Sequence, residues 1–101
     1  MLYTISASPY YSDFNALINL VTNLDEVLLI QDAVLIAHKI AWNNKDNNYL
    51  IQLREKGVYV FALQDDIEAR GLMPYVSSYV QQISYIDFVQ LTVKHLQYCS
   101  W

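Results

Sequence analysis

Three short, largely apolar runs constrain this chain more than anything else in it: residues 2–5, 26–30 and 58–63, each followed by a stretch with helical character. The second run, Val27-Leu28-Leu29-Ile30, is apolar without a break. A strand with one wet face would alternate; a continuous apolar run needs cover on both sides, as in a parallel sheet flanked by helices. Ser8-Pro9 punctuates the chain after the first run. Ser12 is the expected N-cap of a first helix, with Asp13 favourable at its positive end. Phe14, Leu17, Ile18 and Val21 then follow i, i+3, i+4, i+7 spacing, one apolar helix stripe. Residues 23–25 break that helix. Asp32 stands where it could cap a second helix over residues 33–41. Residues 43–48 read as a polar, Asn-rich loop or helix break, and residues 49–53 as a further helical turn or two. Gly57 ends that turn. Asp65, Asp66 and Glu68 open a short helix that Gly71 terminates. A weaker, more polar fourth strand is expected near residues 80–83, at an edge or as a short strand, and a last helix from Ser84 or Tyr85. The expectation is a single α/β domain over residues 1–101, with a mostly parallel sheet of about four strands and helices on both faces.

Charged residues make up 16% of the chain and there are nine tyrosines. An average domain is about 25% charged. Interfaces are depleted in Lys, Glu and Asp and enriched in Tyr and Trp, so this composition suits a surface partly covered by other chains. The alternative is a monomer surfaced with Asn, Gln and Ser. The net charge is −4, with six basic residues scattered along the chain. Holding a nucleic-acid backbone needs clustered Lys and Arg, so direct nucleic-acid binding is not expected. The start has no basic segment before an apolar one, so no signal peptide is expected. The apolar runs fall far short of the ~20 residues of a membrane span. The single cysteine, Cys99, forbids an intrachain disulfide and fits a cytoplasmic location.

The common catalytic signatures are missing. There is no G-x-G-x-x-G, P-loop or G-x-S-x-G, and two glycines in the whole chain leave little for a phosphate-cradling turn. No cofactor is expected. His38 and His95 have no second His or Cys at ligand spacing, so a metal site is not expected. The Asp65, Asp66 and Glu68 cluster reads as a solvated helix start. Asp32, at the carboxyl end of a buried strand, is where open α/β sheets bind ligands, although a capping role also explains it. Cys99 is the one candidate nucleophile. It lies beyond the negative end of a helix, an environment that does not favour a thiolate.

The C-terminal segment is the most informative. Ser84 and Asp87 form a capping pattern before an apolar run. At 100° per residue, Asp87, Gln90 and Lys94 fall in a narrow polar strip, while Tyr85, Ile86, Phe88, Val89, Leu91, Thr92 and Val93 fill the rest. An ordinary surface helix buries a stripe of somewhat over ~100°, and this arc is about twice that. One sheet face cannot cover it, so either the chain's tail or another subunit does. Tyr85, Phe88, Leu91, Lys94, His95, Tyr98 and Trp101 are the candidate contacts to a subunit or carrier.

Residues 83–95, Ile-Ser-Tyr-Ile-Asp-Phe-Val-Gln-Leu-Thr-Val-Lys-His, closing on Ser100-Trp101, resemble the C-terminal signature of the TusB/DsrH family. The opening Met1-Leu2-Tyr3-Thr4 with Ser8-Pro9 and Asp13-Phe14 is similar to the family's start. Leu29-Ile30-Gln31-Asp32-Ala33-Val34 resembles its Leu-Leu-Gln-Asp-Gly-Val segment, and residues 65–72 its acidic start and Ala-Arg-Gly turn. These matches keep their order over nearly the whole chain. The resemblance implies a DsrE/DsrF/DsrH-like α/β fold and a heterohexamer with TusC- and TusD-like subunits. That complex would relay persulfide sulfur from a TusA-like carrier, through a cysteine of the TusD-like subunit, to a TusE-like carrier, and on to the 2-thio group of the tRNA wobble uridine. A chain of this kind would be a non-catalytic subunit of that relay. Relatives in sulfur oxidisers carry a cysteine in the first helix; none is present here, which favours the tRNA branch. Persulfide carriage by Cys99, or a stand-alone small-ligand binder on a flavodoxin-like sheet with Asp32 at its pocket, are the alternatives. The chain departs from the family pattern in three places. Ala33 replaces a Gly, so that turn must avoid positive φ. Leu96 replaces a Pro, which leaves the last helix free to run on. Residues 43–48 are longer than in compact members.

Overall fold

The computed structural model describes residues 1–9, 13–39, 43–44, 47–95 and 98–100. All three apolar runs are strands: β1 (Leu2–Ile5), β2 (Glu26–Leu29) and β5 (Tyr59–Leu63). The polar fourth strand, β6 (Val80–Ile83), lies at a sheet edge, as its composition suggested. A fifth strand, β7 (Tyr98–Ser100), was not anticipated. The order across the sheet is β6-β5-β2-β1-β7, and every pairing is parallel. Residues 43–44 and 47–48, expected as a loop or helix break, form a two-stranded antiparallel ribbon, β3 (Asn43–Asn44) and β4 (Asn47–Asn48).

Strand alternation sorts the core into two unequal halves. On one face Tyr3, Ile5, Val27, Leu29, Val60, Ala62 and Val80 meet α1 (Phe14–Leu20), a 3-10 helix (Gln31–Ala37), α2 (Tyr49–Glu55) and α3 (Gln64–Ala69). On the other face Leu2, Leu28 and Ile83 are covered by α4 alone (Tyr85–Lys94), through Phe88 and Leu91. Helices therefore lie on both faces, and among the described residues α4 is the one helix on the smaller side.

Local chemistry explains most boundaries. The cap of α1 is Asp13, whose carboxylate accepts the Ala16 N–H at 3.0 Å; the expected cap, Ser12, lies outside the described residues. Asn48 caps α2 by accepting the Ile51 N–H at 3.0 Å. Both glycines end helices in left-handed geometry, Gly57 at φ 79° and Gly71 at φ 65°. In each case the glycine N–H and the next one return to carbonyls of the last turn, Gly57 to Arg54 and Val58 to Leu53, Gly71 to Glu68 and Leu72 to Ile67, the Schellman arrangement. The chain thus has no glycine left for an anion-binding loop.

The segment after β2 differs from expectation. It is a 3-10 helix, and Asp32 does not cap it. Instead Asp32 accepts two hydrogen bonds from Arg70, at 2.9 and 3.2 Å. Asp66 accepts the Gln31 N–H at 2.8 Å and lies 3.6 Å from the Arg70 guanidinium. The left-handed residue of this turn is Gln31, φ 50°, the one non-glycine with positive φ among the described residues. Ala33 avoids that region, as a residue with a Cβ should. The last helix does not run on past the position where the family has Pro: α4 ends at Lys94 with His95 as its extended C-cap, and Leu96 lies outside the described residues.

Candidate assembly surface and its anchor

The capping box predicted for α4 is present. The Asp87 N–H donates to Ser84 Oγ at 3.2 Å and the Ser84 N–H to the Asp87 carboxylate at 3.4 Å. Despite its apolar composition, α4 has no fully buried residue. Phe88 and Leu91 turn toward the sheet and are half-buried. Tyr85 is exposed and its ring stacks on Phe88 at 5.7 Å. Ile86, Val89 and Val93, spaced i, i+3, i+7 along the outer side, are 70%, 42% and 75% exposed. The wide apolar arc read from the sequence is therefore left open by the chain's own sheet. Residues 98–100 do not fold over it: they pair edge-on with β1, Tyr98 opposite Leu2 and Cys99 opposite Tyr3.

The far end of α4 is tied down by one carboxylate. Glu26, the first residue of β2, is 7% exposed. Lys94 Nζ lies 2.6 Å from one of its oxygens and His95 Nε2 3.0 Å from the other. Burial pushes the Glu26 carboxyl up, but the hydrogen bonds from Lys94 and His95 and their charges outweigh it. The net result is a group held below the ordinary glutamate range. Lys94 and His95, expected as contacts to a partner or carrier, have an intramolecular partner in Glu26. Glu26 was not singled out in the sequence, although a carboxylate heading a run expected to be buried on both faces is an available signal.

A carboxylate whose folded pKa is depressed stabilises the fold at pH above its ordinary value, and loses that contribution as pH falls through the depressed one. Stability from this contact should hold from neutrality to about pH 5 and decline below about pH 4. Glu26→Gln should cost about 1–3 kcal/mol at neutral pH and flatten the acid limb. Urea midpoints measured from pH 7 to pH 3 check both effects.

Of the other candidates, Tyr98 and Cys99 are placed by register on the edge strand β7, and Trp101 lies outside the described residues. Among the described residues no group of three His, Cys, Asp or Glu side chains could hold a metal ion, and no helix is long and apolar enough to cross a membrane. Asp32 is engaged with Arg70 at the carboxyl end of the sheet.

Comparison with known proteins agrees with this architecture. The DsrH-like protein family matches residues 7–98. The chain is 48% identical over 101 residues to Protein TusB of Photorhabdus laumondii, and 43% identical over 101 residues to Protein TusB of Cronobacter sakazakii; each match covers 100% of both chains. Among solved structures it is similar to the ychN protein from E. coli, with a TM-score of 0.75 at 16% identity over 99% of this chain and 97% of that one. It is also similar to MTH1491, a protein of unknown function from Methanobacterium thermoautotrophicum, with a TM-score of 0.74 at 19% identity over 99% and 96%. At such identities these two likenesses concern the fold.

Proposed function

The chain belongs to the DsrH-like protein family, and from that premise we propose that it is a non-catalytic subunit of a cytoplasmic TusBCD-type sulfur-relay complex. In this reading it assembles with TusC- and TusD-like subunits into a heterohexamer. The complex passes persulfide sulfur from a TusA-like to a TusE-like carrier and so supports 2-thiouridine formation at the tRNA wobble position. The observation that carries the reading is α4, a helix with no buried residue whose Ile86, Val89 and Val93 face outward. An apolar face of that kind on a small domain is what a subunit interface covers. The lack of cysteine in α1 supports the tRNA branch. A supporting role also fits Cys99, which stands on an edge strand and not at a helix N-terminus.

Co-expression with TusC- and TusD-like partners, followed by native mass spectrometry, tests assembly. A heterohexamer containing this chain is expected; recovery of this chain as monomer while the partners assemble without it would sink the reading. Sulfur transfer by the assembled complex should be unchanged in a Cys99→Ser variant. Loss of transfer in that variant would instead make Cys99 a persulfide carrier.

A further inference from the structure

A second surface lies away from the outer face of α4. The sheet ends on β6, and among the described residues no strand pairs with the outer side of Val80-Gln81-Gln82-Ile83. Natural edge strands are usually guarded by a lysine, a proline, a bulge or a covering element. This one has no lysine or proline, and its register with β5 runs without a bulge from Val60↔Val80 to Leu63↔Ile83. The Val80 N–H donates to the Ser77 carbonyl at 3.1 Å; no strand among the described residues pairs with the outer side beyond it.

At the amino ends of β5 and β6 is a cleft of about 630 Å³ that reaches the end of α2, lined in part by Arg54, Tyr59, Ser78, Tyr79 and Gln81. Among the described residues Arg54 is the one charged side chain in its lining, with no carboxylate beside it. Its guanidinium carbon lies 4.6 Å from the centre of the Tyr79 ring. Stacking of that kind holds the guanidinium plane in place and leaves its N–H edge free to grip a carboxylate with two parallel bonds. Elsewhere the described basic side chains are mostly engaged: Lys56 with the Ile18 carbonyl, Arg70 with Asp32 and Lys94 with Glu26. Arg54, like Lys39, has no acceptor among the described residues. In a chain with ten acidic side chains against six basic ones, a cation left free, stacked and set beside an open strand edge is the exception.

We propose that this cleft and the β6 edge together bind an extended, acidic segment of a partner protein, which adds as a sixth strand and places a carboxylate on Arg54. The edge dictates an extended ligand, because main-chain pairing needs a strand. The charge dictates an acidic one. A nucleic-acid backbone is a poor occupant, since one arginine replaces too few counterions to hold it. The inference does not depend on the sulfur-relay reading, because neither Arg54 nor the β6 edge was used to reach it.

The test is an NMR titration of the full chain, labelled with nitrogen-15, against a short peptide alternating threonine and glutamate. A peptide with glutamine in place of glutamate is the control. Saturable shifts are expected in the amides of residues 78–83 and in the Arg54 side chain, with the glutamine peptide binding at least about tenfold more weakly, as loss of a charged hydrogen bond implies. The R54Q variant, changed at an exposed position, should keep its melting temperature and lose about tenfold in affinity for the glutamate peptide. Failure of millimolar peptide to move residues 78–83, equal binding of both peptides, or unchanged affinity in R54Q would each overturn the proposal. Concentration-dependent dimerisation through the same amides, without peptide, would assign the edge to a second copy of this chain and overturn it as well.

Discussion

Introducing Ile86→Glu together with Val93→Glu is expected to leave the isolated chain folded and to remove it from the proposed complex. Both side chains are about three-quarters exposed, and surface changes of this kind usually alter stability by no more than about 0.5 kcal/mol. A melting temperature within a few degrees of the parent is therefore expected. At an interface the same positions become buried. Central apolar contacts typically cost about 2 kcal/mol or more each when truncated, and a buried, unpaired carboxylate costs more. Two such sites should weaken association with TusC- and TusD-like subunits on the order of a thousandfold. Native mass spectrometry of the co-expressed set should then lack this chain. An intact heterohexamer would move the interface off the outer side of α4.

Phe88→Ala is expected to act in the opposite sense, on folding first. The sequence places Phe88 among the candidate contacts to a subunit or carrier. It packs on Leu2, Leu28 and Ile83 and carries the Tyr85 ring, so it is one of two apolar side chains by which α4 grips the sheet. Large truncations of well-packed phenylalanines cost about 3–5 kcal/mol. Phe88 is half-buried, which places it near the low end, about 3 kcal/mol. For a domain of this size that lowers the melting temperature by about 12–24 °C. Hydrogen exchange should show protection lost selectively over residues 85–94, while β2 and β5 keep theirs. Uniform loss across the sheet would mean that α4 does not open separately.

What the sequence made legible and what it hid divide along sequence distance. The four strands near residues 2, 27, 60 and 81, the capping box at Ser84 and the helix-ending glycines all announce themselves within a few residues, by apolar runs or by a cap. The over-wide apolar arc was equally local, and the outward exposure of Ile86 and Val93 bears it out. The 3-10 helix after β2 is different: Asp32 has the right chemistry for a cap, but Arg70, far along the chain, takes its carboxylate, and Asp66 takes the Gln31 N–H. Glu26 finds Lys94 and His95 across most of the chain. Strand β7 is three residues with no periodicity to read, created by the edge of β1. Arg54 over Tyr79 belongs to the same class. Pairings of this kind are settled by topology, so pattern and propensity cannot supply them.

The pairing of β1 with β7 has a consequence for how the chain is made. Leu2 stands in register with Tyr98, so β1 leaves the ribosome and waits for β7 to be translated before its outer side is paired. Closing so long a loop is slow and entropically costly compared with docking β2 on β1. During that interval a nascent chain presents an unguarded strand margin to its neighbours. Stalled or truncated products that stop after α4 should therefore be the aggregation-prone species, even though their larger hydrophobic core is already encoded in full.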